Sequence, residues 1–153
     1  MNRARLRLVL LLVLSGIVTA AAASLYLGMT FALLTDGPGA LLKGLDLGVS
    51  VIWFCLAVAT LPAILLGGLL WFRGVRRVIV WIATGVLGAV LCLGLAYIGP
   101  GDIHQITKLA LRNYPMAFTA AFAITGALAA LTFLGLMRLS LRVFRPRPSI
   151  RRA

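Results

Sequence analysis

Residues 8–34 read LVLLLVLSGIVTAAAASLYLGMTFALL, and with Thr35 they make a run of 28 uncharged residues between Arg7 and Asp36. About 20 apolar residues in a helix cross the roughly 30 Å hydrocarbon core of a bilayer. Three more such runs follow. There are 26 uncharged residues between Asp46 and Arg73, 24 between Arg77 and Asp102, and 25 between Arg112 and Arg138. Together the four runs hold 103 of the 153 residues. The reading is an all-α integral membrane four-helix bundle, forming one domain over 1–153. Its expected spans are 8–34, 47–72, 78–98 and 115–137, followed by a basic tail at 138–153.

The composition agrees. Hydrophobic residues make up 62% of the chain, far above a soluble domain, and the loops leave no room for a soluble domain. Arg3, Arg5 and Arg7 followed by an apolar run and Ala20–Ala23 resemble a secretory signal. The apolar run continues to Leu34, longer than a signal's apolar region, so an uncleaved first span is expected.

The net charge of +12 would point to nucleic acid in a soluble chain. Here the basic residues sit at span ends, where they set topology and attract anionic lipid, so no nucleic-acid partner is expected. Twelve lie on one side: Arg3, Arg5, Arg7, Arg73, Arg76, Arg77, Arg138, Arg142, Arg145, Arg147, Arg151 and Arg152. The other side holds Lys43, Lys108 and Arg112 with all three acids, Asp36, Asp46 and Asp102. Cytoplasmic segments are enriched in Lys and Arg, so both termini are expected in the cytoplasm. The Arg-, Ala-, Gly- and Leu-rich composition suggests a bacterial inner membrane. Arg73, Arg76, Arg77, Arg138, Arg142, Arg145 and Arg147 are the expected contacts to anionic lipid of the cytoplasmic leaflet. Trp71 and Trp81 flank the turn at the inner interface, and Tyr97 and Tyr114 flank the third loop at the outer one, depths that amphipathic rings favour.

Lipid tails are as apolar as leucine, so membrane helices associate by close packing of small residues. The first span carries Gly16, Ala20, Ser24, Gly28 and Ala32, each four apart. The second carries Ala59, Ala63 and Gly67, the third Gly85 and Gly88, and the fourth Gly126 and Ala130. These are the expected helix-packing residues. Pro62 lies inside the second span and removes the donor to the Val58 carbonyl, which predicts a kink. In the third loop, the segment from Asp102 to Asn113 has its apolar residues Ile103, Ile106 and Leu109 on one helical face. It predicts a short helix lying on the outer leaflet.

Charged side chains within spans mark ion pathways and proton relays; the middles of these spans have none, and the chain contains no Glu. The single histidine, His104, lies in a loop, so haem held by two histidines across the bundle is not supported. Cys55 and Cys92 lie within spans and form no C-x-x-C motif. The three aspartates sit where turns and helix caps want them, unlike a paired-aspartate catalytic site. The expectation is therefore a protein that is not an enzyme, with no catalytic, cofactor or metal site. It would serve as an accessory, assembly or scaffolding subunit, with membrane lipids and a membrane-protein partner or a second copy as contacts. The alternative is a small channel, transporter or lipid-handling protein. It draws on the Ser and Thr residues of the spans (Ser15, Thr19, Thr84 and Thr125 among them) and on Pro62.

Overall fold

The computed structural model of the chain describes residues 3–98 and 102–143. They form α1 (Arg3–Asp36), a 3-10 turn (Pro38–Ala40), α2 (Leu41–Ser50), α3 (Ile52–Phe72), α4 (Val78–Ile98), α5 (Asp102–Asn113) and α6 (Pro115–Val143). Four segments are long and apolar enough to span a membrane: Leu6–Asp36, Ile52–Phe72, Val78–Ile98 and Pro115–Ser140. Among the described residues there is no strand. Residues 99–101, Arg145 and Arg147 lie outside the described residues.

The four spans form a ring in chain order. α1 packs on α3 and α6, and α4 closes the ring by packing on both α3 and α6. Successive spans are antiparallel. The basic end of the bundle carries Arg7, the 73–77 turn and Arg138. The opposite end carries α2 and α5.

The second span departs from the expected boundary. The span begins at Ile52, later than Leu47, and a separate helix, α2, precedes it from Leu41, with a bend at Val51 where α2 gives way to α3. The bend keeps its hydrogen bonds, Val51 N–H to Leu47 O at 3.1 Å and Cys55 N–H to Val51 O at 3.0 Å. What draws α2 against α1 is a second set of glycines. A Cβ at Gly28 would fall on the Gly44 carbonyl oxygen and the Gly48 amide nitrogen. A Cβ at Gly44 would lie 2.7 Å from the Gly28 carbonyl, and one at Gly48 would lie 2.8 Å from the Ser24 carbonyl. The backbones touch because neither helix has a side chain there. Gly44 and Gly48 are spaced four apart like the residues they meet, a signal present in the sequence on either side of the expected span boundary at Leu47.

The turn between α3 and α4 is held from three directions. Gly74 has φ of 65°, a left-handed conformation that glycine adopts without steric cost. Its N–H donates to Trp71 O at 3.0 Å, and the Val75 N–H donates to Leu70 O at 3.1 Å. This pair of bonds is a Schellman cap, with Leu70 and Val75 in the expected apolar contact positions; both pack on the cluster of Leu12, Trp81, Phe133, Leu134 and Met137. The Trp81 indole N–H donates to Val75 O at 3.0 Å and fixes the turn from above. At the other end, Pro115 opens α6 at the first helical position, where its missing donor costs nothing.

α4 and α6 cross at Gly85 and Gly126. A Cβ at either would strike the other's carbonyl oxygen, and one at Gly126 would lie 2.7 Å from Ala89 Cβ. Gly94 and Gly135 face open space, with nothing within 4 Å of an added Cβ. Gly126→Leu is expected to lower stability in detergent by about 1–3 kcal/mol or more, the cost of overpacking a tight contact. Gly94→Ala and Gly135→Ala are expected to leave it unchanged or to raise it by up to about 1 kcal/mol. Thermal denaturation followed by circular dichroism checks the contrast.

Candidate functional site

All five small residues of the α1 stripe are buried within the chain. Gly16 lies against Ile64 of α3, Gly28 against α2, and a Cβ at Gly44 would lie 2.8 Å from Ala32 Cβ. Ala20 and Ser24 are fully inaccessible. Gly67 of α3 faces the ring of Phe133, and Ala130 packs on Gly85. Gly88 meets only Leu66, at an ordinary 3.5 Å. Ala59 and Ala63 border an open volume at the centre of the ring.

That volume is a cavity of about 120 Å³. Its walls are made by all four spans, with Thr19 and Ala23 of α1, Ala59 and Ala63 of α3, Gly88 and Cys92 of α4, and Phe122 and Thr125 of α6 among them. Small side chains on four facing helices leave the space unfilled. The walls differ in exposure. On α1 and α6 most wall residues are buried, Thr19, Ala20, Ala23, Phe122, Thr125 and Phe133 among them; on α3 and α4 Cys55, Gly67, Trp81 and Ala89 are buried, but Val58, Ala59, Pro62, Thr84 and Gly88 are half-exposed. The cavity therefore opens along the seam between α3 and α4.

Both ends are bounded by aromatic rings. Trp81 and Phe133 line the basic end and stack with centroids 6.1 Å apart. Behind them lie Leu12 and the fully buried Met137. Phe122 lines the opposite end, and beyond it Phe118, Phe31 and Tyr114 pack edge to face. Trp81 is thus not an interfacial anchor. At 1% exposed it belongs to the core, because Val75 O satisfies its N–H where water would otherwise be needed. Trp71 is half-buried beside it.

Most span hydroxyls are already satisfied. Tyr26 Oη and Thr132 Oγ1 are 3.0 Å apart, Thr30 and Thr125 hydroxyls 3.5 Å, and the Ser15 hydroxyl lies 3.6 Å from Met137 Sδ. These contacts tie α1 to α6. Thr84 donates to Val80 O at 2.8 Å in its own helix. α3 runs unbroken through Pro62, and the Val58 carbonyl that Pro62 deprives of a donor has the Cys92 thiol at 4.0 Å. Both cysteines are free. Thr19 and Thr60 are the exceptions, since neither hydroxyl has a partner; of the two, Thr19 lines the cavity and is 2% exposed. It was legible as a polar residue in a span; its isolation depends on what α3 and α4 fail to bring near it.

Two polar residues of α5 are engaged locally. His104 Nδ1 bonds to Tyr97 O near the end of α4, and the Lys108 ammonium lies 5.6 Å from the Tyr97 ring centroid. Thr107 is buried, while Ile106 and Leu109 are exposed, as suits a helix lying on a lipid surface. Among the described residues no group of three or more His, Cys, Asp or Glu is placed to hold a metal. Arg73, Arg76, Arg77 and Arg138 are all exposed. Arg142 lies on α6, and its side chain is outside the described residues.

Compared with known protein families, curated proteins and solved structures, the chain matches none.

A buried hydroxyl without a partner costs about 1–3 kcal/mol. Thr19→Val, which keeps the shape and removes the hydroxyl, is expected to raise the stability of the delipidated protein by about 1 kcal/mol. Tyr26→Phe, which breaks a bond between spans, is expected to lower it by about 0.6 kcal/mol. Unfolding titrations of both variants in one detergent check the opposite signs.

Proposed function

We propose that the protein is a non-catalytic integral membrane component, an accessory or assembly subunit whose contact surface is its basic end. The observation that carries this reading is the exposed group Arg73, Arg76, Arg77 and Arg138, in a chain whose three acids all lie in the segments at the opposite end. Such a face attracts anionic head groups by about 1 kcal/mol per residue near the surface, and it attracts acidic segments of other membrane proteins by the same force. The small-residue stripe of α1 is no part of this contact surface, because its members contact α2 and α3 within the chain. The positive-inside tendency places the basic end in the cytoplasm, most simply at a bacterial inner membrane.

The alternative, a small channel or transporter, draws on the central cavity. The aromatic pairs at its two ends stand against an axial path, since passage would require displacing Trp81 and Phe133 from a buried stack.

The triple variant Arg73→Gln, Arg76→Gln, Arg77→Gln is expected to lose co-purifying partners or anionic lipid from native membranes. Native mass spectrometry reads the complex, and fusion reporters at the C-terminus control for a change in topology. An unchanged complex with unchanged topology sinks the reading.

A further inference from the structure

We propose that the central cavity binds the carbonyl-bearing ring of a neutral, membrane-dissolved lipophile of the quinone kind, admitted from the bilayer between α3 and α4. The inference rests on the cavity alone and is independent of the role of the basic end.

The size sets the first limit. About 120 Å³ is close to the ~150 Å³ of an engineered apolar cavity that holds a benzene ring. The space takes one six-membered ring and excludes anything much larger. Charge sets the second. No wall residue is ionised at neutral pH, and a charged guest desolvated at mid-membrane would have no counter-charge. The guest is therefore neutral.

The route sets the third limit. Aromatic pairs bound both ends, and the walls on α1 and α6 are mostly buried. The α3–α4 seam is half-exposed and borders the hydrocarbon, so a ligand arrives by lateral diffusion in the bilayer. A ring on a long apolar tail fits this geometry, with the ring inside and the tail leaving through the seam among the lipid chains. An empty void also forfeits the dispersion contacts that its lining atoms would make with a guest.

Thr19 distinguishes the ligand from a plain hydrocarbon. The residue is 98% buried at the cavity wall, and its hydroxyl has no partner within the protein. An acyl chain would leave it so. A ring carbonyl accepts from it and turns an unfavourable buried donor into a hydrogen bond. The stacked pair of Trp81 and Phe133 offers aromatic surface to the ring.

Trp81 supplies the readout. The variant Trp53→Phe, Trp71→Phe leaves Trp81 as the sole indole. Reconstituted into phosphatidylcholine vesicles and titrated with 2-decyl-1,4-benzoquinone, it is expected to show saturable quenching of Trp81 emission. Adding Thr19→Val is expected to weaken the half-saturation concentration roughly tenfold, the effect of one well-placed hydrogen bond. Adding Ala63→Phe, which fills the cavity, is expected to abolish saturable quenching. Ala59→Leu serves the same purpose if Ala63→Phe does not fold, with helical content by circular dichroism as the check. Quenching that rises linearly and is the same in the filled variant overturns the site. Saturable quenching that ignores Thr19→Val, and that vesicles with brominated acyl chains reproduce without quinone, overturns the carbonyl ligand and leaves a lipid-chain pocket in its place.

Discussion

Close approach of backbones along α1 is the constraint on which the rest of the bundle depends. In a bilayer, apolar side chains gain little by leaving lipid for protein, so helices must win their contacts by packing density. α1 touches α2, α3 and α6, and it does so with glycine, alanine and serine. At Gly28, Gly44 and Gly48 the contact is backbone to backbone. Gly85 and Gly126 repeat the arrangement between α4 and α6. With these crossings placed, the hydroxyl contacts from Ser15, Tyr26 and Thr30 on α1 to α6 have fixed geometry.

The same small residues that permit close seams create space where no seam forms. Four helices in a ring meet their neighbours, and small side chains that point at the centre cannot reach across it. Ala59, Ala63 and Gly88 border the resulting cavity. Large aromatic residues fill the ring only at its ends, Trp81 with Phe133 and Phe122 with Phe118. The α3–α4 hairpin is tethered at the basic end by Gly74 and Trp81, and elsewhere it is joined by lighter contacts such as Cys92 to Val58 O. That leaves this one seam the easiest to part.

The helices α4 and α6 were legible from the uncharged runs and from Pro115, because an apolar run of this length in a bilayer has few alternatives to a helix. The short α5 was legible from the spacing of its apolar residues. The packing of α2 on α1 was not. Lys43 and Asp46 mark the segment as water-facing, yet Gly44 and Gly48 lay its other face against α1. Charge reports one face of a helix, and a segment can be polar on that face while its backbone packs closely on the other. Trp81 was misplaced for a related reason. A Trp near a basic turn is commonly interfacial, but its depth along the span says nothing of which way the ring turns.

By itself the sequence determined the number of spans, their alternation, the basic and acidic ends, and the faces suited to close packing. These follow from transfer free energies and helical periodicity, which act residue by residue along the chain. Tertiary structure alone decided which face met which, that the α1 stripe is used internally, that Trp81 is core, and that Thr19 faces a cavity without a partner. Those properties depend on side chains far apart in sequence meeting or missing one another, and no local pattern encodes a gap between four helices.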